Sequence, residues 1–174
     1  AGQRMQRRGA LHGVADEGGW WPDFDTNEQA LETLLAAIED AGYVAGEQVA
    51  IALDVAASEF GRGGRYRLGL EQRELDADGL IELLLRWIER YPIVSVEDPL
   101  AEDDLQAFVR FTQAAGDKLQ IVGDDLLVSS APLVQQAAAA GAANCVLLKP
   151  NQRGTLSETL DGWRAAQAVG YAGI

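Results

Sequence analysis

The sequence predicts an α/β fold built on a parallel sheet, and three observations predict it. Four short apolar runs recur along the chain without the strict alternation of a half-exposed antiparallel strand. Stretches with apolar residues at helical spacing lie between them. Each run ends in an ionisable residue: Asp54, Glu97, Asp124 or Lys149.

The first helix reads from Ala30, Leu31, Leu34, Leu35 and Ile38, with Thr26 and Gln29 as a capping box before it and Gly42 as its stop. Residues 49–54 make the first strand. Gly61, Gly63 and Gly64, between Phe60 and Tyr66, mark a hairpin or turn excursion over 60–68. A helix follows over 78–90, with Leu80, Ile81, Leu84, Leu85 and Ile88 inward, and Pro92 ends it. Residues 93–97 are the second strand, 103–115 a helix and 119–124 the third strand. Ser130 as N-cap and Pro132 in the first turn open a helix to Ala140. Residues 144–149 are the fourth strand, and Thr155 with Glu158 caps a last helix running to about Val169.

Strands alternating with helices imply right-handed crossovers. Four βα units make either a small open sheet, suited to a binding module, or half of an eight-stranded barrel. A complete barrel needs about 250 residues, and this chain has 174, the size of one ordinary domain.

Composition narrows the function. With 48% hydrophobic and 24% charged residues the chain is globular, not disordered. Lys and Arg total 14 against 27 Asp and Glu, a formal charge of −13, which disfavours nucleic acid as a partner. No apolar run approaches the roughly 20 residues that span a bilayer, and residues 2–12 do not read as a leader. A soluble, cytoplasmic protein without a membrane partner is expected.

In a parallel sheet all carboxyl ends face one way, and ligands gather there. Asp54, Glu97 and Asp124 would repel one another at such an end unless a cation sat among them. Their hard oxygens suit Mg²⁺, not zinc. Lys149, one of two lysines in the chain, is either a base with its pKa lowered by burial and a dication or the partner of Asp124 or Asp125 in a structural ion pair. Glu17, in Asp16-Glu17-Gly18-Gly19, is either a second acid/base group or an acidic turn before a helix. His12 reads as a loop residue and Cys145 as a small buried hydrophobe. No nucleophile elbow or dinucleotide-binding glycine pattern is present.

Five blocks in order carry a resemblance: residues 15–19 (ADEGG), 52–60 (ALDVAASEF), 91–100 (YPIVSVEDPL), 122–126 (VGDDL) and 147–156 (LLKPNQRGTL). Together they resemble enolase, the phosphopyruvate hydratase family, from about Gly13 onward. The resemblance implies part of an enolase-superfamily (β/α)8 barrel, with the N-terminal capping domain and the first and last barrel strands outside this chain and the piece inactive alone. It implies a glycolytic Mg²⁺-dependent lyase that interconverts 2-phosphoglycerate and phosphoenolpyruvate, a small phosphorylated carboxylate pair. By the same resemblance Asp54, Glu97 and Asp124 match the ligands of the first Mg²⁺, Lys149 the base and Glu17 the acid. A Lys base with one or two Mg²⁺ ions is the superfamily's general pattern. A homodimer or a larger homo-oligomer is implied too. Trp20-Trp21 stands where the family has Phe-Ala, Pro150 follows the lysine, and Arg153 replaces an apolar residue. Those departures leave two alternatives: a different acid substrate, or a non-catalytic binding or structural role.

Overall fold

The computed structural model describes all 174 residues. The chain forms two compact units, residues 1–50 with 68–73, and residues 51–67 with 74–174.

The first unit begins with a short helix, α1 (Gly2–Arg8). A hairpin follows, β1 (Leu11–Val14) and β2 (Trp20–Pro22), antiparallel with a register shift near Leu11. His12 therefore sits in a strand and not in the expected loop. Cross-strand pairing places its ring edge-on to Trp21 and its Nε2 3.5 Å from Asp23. Helix α2 (Asn27–Asp40) starts where expected, with the Gln29 N–H donating to the Thr26 hydroxyl at 3.3 Å. The expected capping box is half made: the Gln29 side chain accepts from the Asp25 N–H at 3.0 Å, not from Thr26. Asn27 is further held by two side-chain bonds and one backbone bond to the Glu71 carboxylate.

The second unit holds a five-stranded parallel sheet. Its strands are β3 (Ile51–Asp54), β7 (Ile93–Glu97), β8 (Gln120–Gly123), β9 (Cys145–Val146) and β10 (Ala172–Gly173). They lie side by side in chain order, each paired in parallel with its neighbour. Sequential order is what a winding barrel wall requires, whereas a doubly wound sheet reverses at a switch point. The fifth strand was not expected, because Ala172 and Gly173 are too few for an apolar run to register. The fourth is shorter than expected. Bonds of ladder type nonetheless continue past it, from the Leu147 N–H to Gly123 O and from the Leu148 N–H to Ile174 O.

Between β3 and β7 the excursion is a 3-10 turn (Ala57–Glu59) and a three-stranded sheet, β4 (Gly61–Arg62), β5 (Arg65–Leu68) and β6 (Arg73–Asp76). Tyr66 is fully buried there, and its hydroxyl accepts the Ala101 N–H at 3.1 Å. Helices α3 (Ala77–Arg90), α4 (Leu105–Ala115), α5 (Ala131–Ala140) and α7 (Leu156–Ala168) supply the crossovers. Asp76, Asp104 and Thr155 cap three of these through side-chain bonds to the third following N–H. At Thr155 the hydroxyl also donates to Glu158 Oε2 at 2.7 Å, a side-chain bond in place of the box's reciprocal backbone bond. Ser130 precedes α5 without a side-chain cap bond. The core forms where Val96, Ile121 and Val146, which share one sheet face, meet helix residues such as Leu84, Phe108, Phe111 and Val134; all are buried to within 1% of full exclusion.

Gly162 on α7 is required for a close approach. A Cβ there would lie 2.3 Å from the carbonyl oxygen of Ser129. Overpacking of this kind costs about 1–3 kcal/mol, and here the obstacle is backbone. Gly162→Ala is therefore expected to lower the urea midpoint without changing the denaturant slope; an unchanged midpoint would show that α7 moves away freely.

Candidate active site

Register decides which side chains share a face of the sheet. Asp54 pairs with Glu97, Glu97 with Val122, and Val122 with Cys145. Side chains two residues apart on a strand point the same way, so Asp54, Glu97, Val122 and Cys145 share one face, and Asp124 and Lys149 follow it at the carboxyl ends. Asp54 ends β3, Glu97 ends β7, and Asp124 stands one residue past β8. Lys149 lies three residues past β9 and is the N-cap of a short helix, α6 (Pro150–Arg153).

Asp124 is the centre of this group. It is buried, and its Oδ2 receives the Lys149 Nζ at 2.6 Å while its Oδ1 accepts from the Gln152 amide at 2.7 Å. Asp54 accepts the Ala56 N–H at 3.0 Å. Burial first, and then the charge of Asp124, push its carboxyl above the ordinary aspartate range, partly offset by that bond. Glu97 is pushed further, to about 7, by burial and then by Asp54, Asp124 and Asp98. Without a cation, Lys149 takes the second of its two expected roles, as the ion-pair partner of Asp124. Its pKa is raised, because the bond to Asp124 holds the proton and outweighs the slight burial of the amine. The expected fall needed a cation beside the lysine, and with three carboxylates alone the field favours ammonium.

The closest grouping of carboxylate oxygens is Asp98, Asp124 and Asp125, within 4.8 Å of one another. Asp98 is 2% exposed, and its two oxygens accept the N–H groups of Asp124 at 3.1 Å and Asp125 at 2.7 Å. Its carboxyl is lifted to about 6, chiefly by burial. With both oxygens engaged by backbone, Asp98 braces the β8 end for the acids around it. The sequence reading passed over Asp98. It also passed over Ser129, whose fully buried hydroxyl accepts the Lys149 N–H at 2.8 Å and donates to Gln152 Oε1 at 2.9 Å, and over Gln152 itself. Nothing in composition marks a Ser or a Gln for such a role. Asp98 carried one signal, an aspartate tolerant of left-handed backbone just after a strand.

Glu17 belongs to the other compact unit. It is exposed in the β1–β2 loop, whose turn is closed by the Gly18 N–H to Ala15 O at 2.8 Å, and it lines a shallow cavity of about 470 Å³ with Trp20 and Trp21. Cys145 is buried as expected, its thiol pushed up to about 11 by burial and the nearby Glu97 charge.

Sequentially ordered parallel strands with acids and a lysine at their carboxyl ends define a (β/α)8-barrel wall bearing a polar site. The family model of the enolase C-terminal TIM barrel domain matches residues 4–174. The chain belongs to the enolase family. No helix is long and apolar enough to cross a membrane.

The raised Glu97 carboxyl has a consequence for stability. The folded protein holds that proton up to about pH 7, whereas an ordinary glutamate releases it near 4.5. Across that window the native state binds more protons than the unfolded chain, so stability falls as pH rises. Measured without divalent cations, the melting temperature of the parent should drop between pH 4.5 and 7 relative to Glu97→Gln, which cannot ionise. Parallel profiles would contradict the mutual repulsion described.

Proposed function

We propose that the protein is a Mg²⁺-dependent lyase that interconverts 2-phosphoglycerate and phosphoenolpyruvate. The observation that carries this reading is the placement of Asp54, Glu97, Asp124 and Lys149 on one face at the carboxyl ends of one parallel sheet, within a chain of the enolase family. Three hard carboxylates fit a small divalent cation, since a positive charge among them offsets both the burial and the mutual repulsion that lift Asp54 and Glu97. An ionised carboxylate has about four lone-pair sites, so the two donors on Asp124 leave room for a ligand bond. Asp54, Glu97 and Asp124 would hold the ion.

Lys149 acts as the base in this reading. Its neutral amine takes the proton from the carbon next to the substrate carboxylate, and the C–H electron pair becomes the new carbon–carbon double bond. Glu17, as the carboxylic acid, gives a proton to the hydroxyl leaving the neighbouring carbon, and water departs. Bound Mg²⁺ supplies positive charge that weakens the hold of Asp124 on the Lys149 proton and offsets negative charge gathering on the substrate carboxylate. The enzyme works in the cytoplasm, as a homodimer or larger homo-oligomer.

A second reading is favoured by one feature. Trp20 and Trp21 are 54% and 59% exposed beside Glu17, and their bulk suits a different acid substrate. Preferred turnover of another 3-hydroxy carboxylic acid over 2-phosphoglycerate would establish it.

The test uses full-length protein and the absorbance of phosphoenolpyruvate. Conversion should require Mg²⁺ and stop with chelator. Lys149→Ala and Glu17→Gln should each lower kcat by about 10²–10⁴-fold, the range of a general acid or base. Parent-level turnover by Lys149→Ala would remove Lys149 from the mechanism.

A further inference from the structure

We propose that Gln152 is a positioning residue which, anchored by Ser129, fixes the Asp124 carboxylate in the orientation that binds the divalent cation. The inference rests on the assignment of Asp124 as a cation ligand made above, and it adds two residues that the family motifs and the sequence reading left without a role.

The geometry is a closed circuit. The Lys149 N–H donates to Ser129 Oγ at 2.8 Å, and the Ser129 hydroxyl donates to Gln152 Oε1 at 2.9 Å. Gln152 Nε2 donates to Asp124 Oδ1 at 2.7 Å, and Asp124 Oδ2 receives Lys149 Nζ at 2.6 Å. The circuit leaves Lys149 by its backbone and returns by its side chain. It therefore ties the amine and the carboxylate to one frame.

The amide orientation is forced. Turned over, Gln152 would present its oxygen to a carboxylate oxygen 2.7 Å away, two acceptors with no proton between them. Ser129 favours the same orientation, because its hydroxyl accepts the Lys149 N–H and Gln152 Oε1 is the nearest acceptor for its one proton, ahead of the Leu147 carbonyl at 3.2 Å. Ser129 is itself immobile: it is fully buried, its φ is +54, and its carbonyl lies against Gly162 of α7.

Two features make this more than packing. Gln152 occupies one oxygen of Asp124 and Lys149 the other, so the two oxygens are not interchangeable. Without the amide, the carboxylate is free to rotate about its last bond and offer both oxygens to the lysine, and lone pairs that face the other acids are lost to the ion pair. Gln152 is also a neutral donor. A Lys or Arg in its place would orient Asp124 equally well but cancel the charge that attracts a cation.

The test is a mutant cycle read by calorimetry with Mg²⁺ alone, on full-length protein, alongside melting curves without cation. Gln152→Met keeps the length of the side chain and removes both bonds. It is expected to raise the Mg²⁺ Kd by about 10–100-fold, the usual effect of removing an outer partner of a metal ligand, with the cation-free melting temperature unchanged. Ser129→Ala should raise the Kd in the same direction. The double variant should lose no more affinity than Gln152→Met, since Ser129 acts on Asp124 through Gln152. If Gln152→Met does not fold, the Ser129→Ala Kd decides by the same criterion. A Kd equal to the parent's, a double variant whose loss is the product of the single losses, or a parent that binds no Mg²⁺ would overturn the proposal. Shifted Kd values in a parent that binds Mg²⁺ but does not convert 2-phosphoglycerate would uphold it and refute the reaction instead.

Discussion

Parallel register is the constraint on which the site depends. Once β3, β7 and β8 pair in chain order, Asp54 and Glu97 become direct neighbours, and Asp124 follows two residues beyond the partner of Glu97. Burial together with the field of these acids lifts the Glu97 carboxyl to about 7, and the bond to Asp124 makes the Lys149 amine grip its proton. The protein tolerates this repulsion because helix packing buries the opposite face, where Val96, Ile121 and Val146 are fully excluded from water. On the site face Val122 and Cys145 are buried as well, and the polar groups gather beyond them at the carboxyl ends.

The loops that leave these strands share a device. Ala56, Asp98, Val128 and Ser129 all have positive φ without being glycine, a conformation costing of order 1–3 kcal/mol at each such residue. Ala56 and Asp98 lie one or two residues past β3 and β7, and Val128 and Ser129 lie in the loop that leads from β8 to α5. In every case a hydrogen bond to the site is made at or beside the strained residue. The Ala56 N–H reaches Asp54, the Asp98 carboxylate holds the N–H groups of Asp124 and Asp125, and the Ser129 hydroxyl holds Lys149. The backbone of Asp98 adds two more ties, donating to Val122 O and accepting from the Ala57 N–H, so one residue joins the ends of three strands. Strain concentrated at these turns is the cost of a rigid polar end, and a rigid end binds a small cation with less loss of entropy than a floppy one.

Much of this was legible in the chain because it rests on periodicity and punctuation. The helices α2, α3, α4, α5 and α7 announce themselves through apolar spacing and through Thr26, Pro92, Pro132 and Thr155. The strand ends announce themselves through an ionisable residue after an apolar run. What was not legible depends on contacts far apart in sequence. Strand β10 has two residues and exists only because Ala172 and Gly173 meet Cys145 and Val146. Helix α1 and the β1–β2 hairpin lack strong patterning, so His12 passed for a loop residue. Ser129 and Gln152 look like ordinary polar surface residues until the chain carries them to Asp124. Which of the two readings of Lys149 the fold shows also depends on a distant contact, because its nearest partner is the Asp124 carboxylate 25 positions earlier.

The central claim is that Asp54, Glu97 and Asp124 together hold one divalent cation while Asp98 only braces them. Anomalous diffraction from crystals of the full-length protein grown with Mn²⁺ tests this most directly, because it locates the ion without reference to activity. The account predicts a single strong peak at coordination distance, between about 2.0 and 2.6 Å as for other hard divalent cations, from an oxygen of each of Asp54, Glu97 and Asp124. A peak held by Asp98 and Asp125 instead, or no peak near these carboxylates at saturating Mn²⁺, would contradict it.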